Sequence, residues 1–574
     1  MPSTAQPAAL SGRRLPNIWD LAALCCVVGA LVAIANAARG TLVPIGVLES
    51  AHIDLDPWAL PGYALRTTLR MFAALFASLL FTFTYATLAA KSRRAGLIMI
   101  PVLDILQSVP ILGFLSFTVV FFMSLFPGRV AGLELAAIFA IFTSQAWNMA
   151  FSFYQSLTTL PSDLDEATRS FRLTSWQRFW RLEVPFAMPG LVWNTMLSMS
   201  GGWFFVVASE AITLGDNNWQ LPGIGSYVAA ALDKQDLVAV FWAIGAMLVV
   251  ILAYDQLLFR PLVAWSARFR FETTASATVE DPWVLALLRR THVLRIAGDA
   301  VERGSNWLTG LRLGRPSGTI RRPGASSRLG DAAFMVLVAL GVAWVLWQVV
   351  DFVGATLSWA DLGQVALLGA ITLTRVMVLM AVAALVWVPI GVWVGLRPAW
   401  AERVQPVAQF LAAFPANLMF PVFVVVIVRF HLNVDVFLTP LMVLGTQWYI
   451  LFNVIAGAAA FPGDLREAAE NFHVGGLLWW RRVIFPGILP YFVTGAITAS
   501  GGSWNAAIVA EVASWGDTKL AAHGLGAYIA QATDAGDFHK IVLGVVVMSL
   551  FVVTVNRLLW RPLYAYASRR TTLG

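Results

Sequence analysis

The sequence predicts an all-α, polytopic membrane protein of about twelve transmembrane helices, arranged as two tandem homologous six-helix halves. Three observations carry that expectation. Charged residues make up only 12% of the chain and hydrophobic ones 59%, with a mean hydropathy of +0.73; a water-soluble domain carries about 25% charge. The apolar residues are gathered into continuous runs long enough to cross a bilayer, which takes about 20 helical residues. They do not form the short alternating segments of a β-barrel. Finally, the second half of the chain repeats the first.

The runs place spans near Leu21–Ala38, Tyr63–Ala89, Gly96–Phe126, Leu135–Ser156, Pro185–Leu214 and Leu237–Phe259. A second set follows near Ala332–Phe352, Val365–Val394, Val404–Val428, Val436–Ala458, Phe485–Ser514 and Ile541–Trp560. The first run follows Arg13 and Arg14 and reads as a retained span, not a cleaved signal. Cys25 and Cys26 are adjacent within it, so they are packing residues and build no disulfide framework.

Alternate loops hold the cations. On one side stand Lys91, Arg93 and Arg94; Arg169, Arg172, Arg178 and Arg181; Arg397 and Arg403; Arg466, Arg481 and Arg482; and Arg561, Arg569 and Arg570 in the tail. The opposite loops hold Asp54, Asp56, Asp216, Asp233, Asp236, Asp361, Asp517, Asp534 and Asp537, with Arg129 and Arg429 as exceptions. The positive-inside rule then puts both termini in the cytoplasm, and it accounts for the net charge of +7 without nucleic acid. Three regions result: residues 1–265, a basic cytoplasmic linker over 266–330 that either touches anionic lipid headgroups or serves regulation or partner docking, and residues 331–574.

The repeat is visible residue by residue. Pro161 lies over Pro462, an offset of 462 − 161 = 301, and the same shift pairs Asp163 with Asp464, Glu166 with Glu467, Phe171 with Phe472 and Pro185 with Pro486. It also pairs Trp203 with Trp504, Glu210 with Glu511, Gly223 with Gly524 and Gly225 with Gly526. Earlier in each half Arg70 pairs with Arg375, and Pro110 with Pro415. An even number of spans per half gives both copies one topology, so they are related about an axis along the membrane normal.

Between the fourth and fifth spans each half has a polar loop, near 161–185 and near 462–486. A helix can begin after Pro161 or Pro462, with Asp163 or Asp464 at its positive end. The first copy reads Glu166-Ala167-Thr168 and the second Glu467-Ala468-Ala469, with Pro185 and Pro486 nineteen residues after the glutamate. This resembles the Glu-Ala-Ala loop of binding-protein-dependent ABC importer permeases. The family's glycine six residues after the glutamate is Arg172 here, and His473 in the second copy. Thr68-Leu69-Arg70 and Thr372-Leu373-Thr374-Arg375, and Glu210 and Glu511 with their Gly-x-Gly partners, resemble the nitrate/taurine/sulfonate branch.

The resemblance implies two permease domains fused in one chain, forming the pathway of an importer. It implies two ATP-binding subunits, expected as a homodimer, which bind ATP and magnesium and are contacted by Glu166, Ala167, Arg169, Glu467, Ala468 and Ala469. An extracytoplasmic binding protein would deliver a small solute such as nitrate, a sulfonate, taurine or another organic anion. This chain itself is expected to be no enzyme and to bind no cofactor: its only lysines, Lys91, Lys234, Lys519 and Lys540, lack the preceding glycine of a phosphate-binding loop, and no metal cluster is present.

Polar groups inside spans are costly and mark candidate pathway positions. These are Trp203, Glu210, Gln145, Asn148, Gln447, Trp504, Asn505 and Glu511, with Asp104 opposed by Gln409 in the repeat. The competing reading is a secondary transporter driven by an ion gradient, with Asp104, Glu210 or Glu511 as proton carriers. It leaves the two matched loops without a purpose.

Overall fold

Inside a bilayer every backbone N–H and C=O must find its partner within the chain, which apolar runs achieve as helices. The computed structural model describes residues 53–269, 291–314 and 328–571, apart from 215–216, 460, 462 and 516–517, with scattered positions before 53. Eight of its helices are long and apolar enough to cross a membrane, and three bent helix pairs bring the number to eleven. The expected first span falls largely outside the described residues, as do both cysteines. The remaining eleven expected spans are all present.

Three spans expected to be continuous are broken, and in the third and ninth proline is the reason. The third comprises Arg93–Ser108 and Leu115–Leu125, bent by 91°. Val109 sits at φ −77°, ψ 128°, because the residue before Pro110 is pushed out of the helical region. The ninth breaks the same way between Pro398–Ala413 and Phe420–Arg429, with Phe414 extended at ψ 125° before Pro415 and a bend of 79°. The tenth span bends by 43° between Val434–Leu444 and Gln447–Ala459. Its counterpart Val130–Thr158 is one helix, lacking the second half's Pro440 and Gly445.

The fifth and eleventh spans end earlier than expected, at Glu210 and Ala510. Ala211–Leu214 (β1) and Asn217–Gln220 (β2) form an antiparallel hairpin, as do Val512–Trp515 (β3) and Thr518–Ala521 (β4). Each strand is four residues long, and Gly-Asp separates the pair in both copies.

The 301-residue shift carries through the structure. It superposes loop helix Ser162–Ser170 on Gly463–Asn471, hairpin on hairpin, and short helix Ile224–Asp233 on Leu525–Asp534. Even the wide π-type turns recur, at Phe179–Glu183 and Trp480–Ile484, and at Asp255–Phe259 and Asn556–Trp560. Such turns are rare and mark functional positions more often than chance.

The chain forms two compact units. The larger comprises Thr41–Thr159, Trp193–Ala253 and Arg321–Gly574; the smaller comprises Met1–Gly40, Leu160–Val192 and Tyr254–Ile320. Within the larger, one apolar core draws on both halves: Ile111, Leu112, Ala140 and Phe205 pack with Val376, Met442, Ala507 and Ile508. The smaller contains the first polar loop and the linker helix His292–Gly310.

Candidate functional site

Each loop presents its glutamate outward. In the first, Asp163 and Asp165 occupy the first turn of Ser162–Ser170, where the helix dipole favours them. Glu166 and Ala167 are exposed, while Thr168 turns inward and donates its hydroxyl to the Asp165 carbonyl at 2.8 Å. Arg169 is half-buried and paired with Asp165, which also holds Arg178 at 2.5 Å. In the second loop Glu467 is exposed, Ala468 half-buried and Ala469 buried. The third motif position thus faces in, and threonine serves there as well as alanine.

The missing glycine leaves a trace. Arg172 has φ 48° and His473 φ 51°, so both copies keep the left-handed turn that favours glycine while carrying a bulky side chain. One residue earlier, Phe171 and Phe472 stand 78% and 81% exposed. Two large apolar side chains thus stand exposed at matched positions beside matched glutamates. Sequence reasoning passed over them as contact residues, although their identity in the repeat was the available signal.

Each half also holds a buried ion cluster. Arg70, on the second span (Leu60–Lys91), reaches Glu134 at 2.6 Å and Glu210 at 2.8 Å, and donates to the Pro222 carbonyl at 3.0 Å. Glu210 also accepts from the Thr67 hydroxyl at 2.7 Å and from the Gly225 N–H at 2.6 Å. The Gly-x-Gly motif has a physical purpose here. Its glycines open the helix Ile224–Asp233, whose Gly225 N–H meets the carboxylate while the Ile224 N–H donates to the Thr67 hydroxyl, as helix N-termini suit anions. A methyl group at Gly223 would collide with the Glu210 carboxyl group, and one at Gly225 with the Val207 carbonyl.

The second half rebuilds this cluster with a few changes. Arg375 reaches Glu511 at 3.1 Å and Asp435 at 2.8 Å; Thr372 donates to Glu511 at 2.8 Å, and Ala527 N–H to Glu511 at 3.0 Å. Asp435 replaces Glu134, and where the first half has Pro222 the second has His523, whose N–H and ring contact Asp435 at 2.7 and 3.0 Å. The first cluster is sealed; Asp435 is 39% exposed. On the adjoining short helices, burial pushes the Tyr227 hydroxyl above its ordinary range and that of Tyr528 up to about 12. Thr67, Glu134 and Asp435 were not foreseen. Thr68, quoted from sequence, donates only to its own helix at Ala64.

The other expected pathway residues divide. Gln145 is buried between spans, its amide on Met71 at 3.0 Å and its carbonyl accepting from Ser78 at 3.3 Å. Trp203 and Trp504 are buried, the latter stacked on Phe551. Gln447 accepts from the Trp387 indole at 2.9 Å, and Asn148 from Gln107 at 3.0 Å. The Asp104 side chain lies outside the described residues.

Asn505 is different, because it crosses between the halves. Its side-chain oxygen accepts the Ile111 N–H at 2.6 Å, at the tip of the broken third span. Reciprocally, Asn417, at the tip of the broken ninth span, donates to the Phe204 carbonyl at 3.2 Å. Phe204 and Asn505 are repeat partners, so each broken tip docks on the fifth-type span of the opposite half.

A family model described as a binding-protein-dependent transport system inner membrane component matches residues 78–260 and again residues 387–571. The chain belongs to that family. This permease carries two fused family domains, and each matched stretch contains one loop, one hairpin and one latch glutamate. Over 189 residues the permease is 25% identical to a nitrate import permease of Leptolyngbya laminosa, covering 33% of this chain and 64% of that protein. Over 186 residues it is 27% identical to a bicarbonate transport system permease of Synechococcus elongatus, covering 32% and 64%. Over 173 residues it is 30% identical to a glycine betaine/carnitine transport permease of Listeria monocytogenes, covering 29% and 54%. The chain thus spans less than two thirds of these relatives' own length. All three are transport permeases, and the family is one of multi-pass membrane components of importers, not of enzymes.

Proposed function

We propose that this permease forms the whole membrane pathway of an ABC importer, with both termini cytoplasmic, and that each loop grips one of two ATP-hydrolysing subunits. One observation carries the reading: two loops in matched register each present an exposed glutamate beside an exposed phenylalanine. Twin surfaces on one chain suit a partner with two-fold symmetry, and ATP with magnesium would belong to that partner. An extracytoplasmic binding protein would hand over a small solute such as nitrate, a sulfonate, taurine or another organic anion. The relatives' substrates, nitrate, bicarbonate and betaines, favour a small polar solute.

The buried clusters are assigned to structure. Glu210 and Glu511 each accept from an arginine, a threonine and a backbone N–H, so a proton carrier would first have to break that set. This weighs against the ion-gradient reading. The test is Glu166→Arg with Glu467→Arg, purified from cells that also make a tagged ATP-binding subunit with which the parent chain co-purifies. Loss of the ATPase with an unchanged melting profile is expected; retained ATPase and retained uptake would refute the contact.

A further inference from the structure

The linker helix His292–Gly310 sorts its residues onto two faces. Val293, Ala297, Ala300, Gly304 and Leu308 follow i, i+4, i+7, i+11, i+15 spacing, and Ile296 and Trp307 extend the same arc, which contains no polar residue. Arg295, Asp299, Glu302 and Asn306 share the opposite side. Ala300, Gly304, Trp307 and Leu308 are exposed, Trp307 by 68%, and a Cβ added at Gly304 would meet nothing. The helix therefore shows water an apolar face that a free helix in solution has no reason to carry.

Its C-terminal end is held by the first loop. Trp176 donates its indole N–H to the Leu308 carbonyl at 2.8 Å and its backbone N–H to the Leu313 carbonyl at 3.4 Å, and Gln177 donates its amide to the Gly310 carbonyl at 2.9 Å. Trp176 lies on Ser175–Glu210, the continuous helix that becomes the fifth span. Val184, where that helix turns apolar, is 184 − 176 = 8 residues further on, about 12 Å along the axis. Headgroups extend about 5–8 Å beyond the hydrocarbon on each side, so the neighbouring Trp307 is held within reach of them. The surrounding charge is one-signed. Residues 266–330 hold eleven arginines against five carboxylates, a net +6 of the chain's +7. Arg289 and Arg290 precede the helix, and Arg312 and Arg315 follow it.

We propose that the linker helix docks on anionic lipid and passes that docking to the first loop alone. Its apolar face enters the bilayer surface, the bracketing arginines meet phosphate headgroups, and Trp176 and Gln177 tie the docked helix to the loop. A helix with a wide apolar arc, a charged opposite face and a tryptophan lies in the interface plane, where apolar burial and attraction to anionic headgroups add. The charge decides between occupants: a segment at +6 is drawn to a negative lipid surface and repels a second copy of itself. The second loop is left out because the residues matching Trp176 and Gln177 are Leu477 and Leu478, which have no side-chain donor. The proposed cytoplasmic side of the loops fixes which leaflet is touched; the contact between helix and lipid does not depend on it.

The experiment uses the full chain in lipid nanodiscs, a single chain per disc and no ATPase, with Cys25 and Cys26 replaced by serine. A nitroxide is attached at Gly304→Cys, in the middle of the apolar face, or at Asn306→Cys on the polar side. In discs of equal parts phosphatidylglycerol and phosphatidylcholine, collision with a water-soluble nickel chelate is expected to be about tenfold rarer at the first position than at the second. In phosphatidylcholine alone the two should agree within about twofold. Equal accessibility in the anionic discs would overturn the docking, and equal protection of Gly304→Cys in both lipids would overturn the charge recognition. Hydrogen exchange reads the transmission. Amides of Ser175–Arg178 should exchange about tenfold more slowly in the anionic discs, and those of Gly476–Trp479 at one rate in both. Trp176→Phe with Gln177→Leu should abolish the first difference while Gly304→Cys stays protected. A second loop that responds as strongly, or a difference that survives this double variant, would overturn the one-sided link. Both faces of a disc carry the same lipid, so these results stand apart from the orientation of the chain and from whether an ATP-hydrolysing subunit binds.

Discussion

Arg70→Met and Arg375→Met remove equivalent guanidinium groups from the two buried clusters, and the surroundings predict unequal damage. Arg70 and Glu210 are 4% and 0% exposed, and Glu134 only 13%, so removing the cation leaves two carboxylates with little water to take its place. Breaking a buried pair in this way costs about 3–5 kcal/mol. Arg375 is 12% exposed and its partner Asp435 is 39% exposed and additionally held by His523. Water and the histidine compensate there, and pairs open to solvent contribute about 1 kcal/mol or less; only the bond to buried Glu511 is lost at full cost. The Arg70 variant should therefore be less stable than the Arg375 variant by about 1–2 kcal/mol. Apparent melting temperatures in one detergent, read from intrinsic tryptophan fluorescence, give the ordering. Adding Glu210→Gln to Arg70→Met removes one stranded charge and should raise the melting temperature again. Equal losses in the two single variants, or a double variant less stable than Arg70→Met, would refute the argument.

Other outcomes follow from individual contacts. Gly223→Ala should disrupt the first cluster as badly as Arg70→Met, because its methyl group meets the Glu210 carboxyl; a Gly223→Ala protein that melts like the parent would show the helix can shift. Arg172→Gly and His473→Gly relieve a left-handed conformation costing about 1–2 kcal/mol but return about 0.4–1 kcal/mol of backbone freedom to the open chain. Amide exchange in the loop helices should slow a few-fold, and faster exchange would count against the strain. Trp176→Phe with Gln177→Leu removes the donors to the Leu308 and Gly310 carbonyls, at 2.8 and 2.9 Å, that cap the linker helix. At about 1 kcal/mol per hydrogen bond, exchange of the amides near Glu302–Leu311 should quicken at least tenfold, and unchanged exchange would show that other contacts hold the linker.

The parts of this fold legible in sequence were those written in composition or in duplicated motifs. Span number, the two halves and the exposed loop glutamates all follow from apolar runs and the 301-residue shift. Breaks in the third and ninth spans were missed although Pro110 and Pro415 stood in the alignment, because hydropathy averages over a kink that costs only a few polar atoms. The hairpins were absorbed into spans for the same reason: Ala211–Leu214 is apolar enough to continue a helix, and only the Gly-Asp pair after it signals a turn. Glu210 and Glu511 were singled out correctly as unusual, but a sequence cannot show which cation answers a buried carboxylate. Here the answer lies 140 residues away at Arg70.

Fusion of the halves explains where they have diverged. Positions that hold each half together are kept in kind: Thr67 and Thr372, Arg70 and Arg375, Glu210 and Glu511, and the glycines that admit the carboxylate. Several positions that differ face outward or across the seam between the halves. Trp176 and Gln177 bind the linker helix in the first half, whereas their partners Leu477 and Leu478 stand 83% and 54% exposed. The sealed cluster at Pro222 becomes an open one at His523. Trp193 and Phe204 become Thr494 and Asn505. In a pore of two separate identical chains each such change would appear twice, on both sides of the axis, and a linker helix suited to one loop would compete for the other. A single chain removes that constraint, so each half can diverge at such positions while the two buried ion clusters keep both halves folded alike.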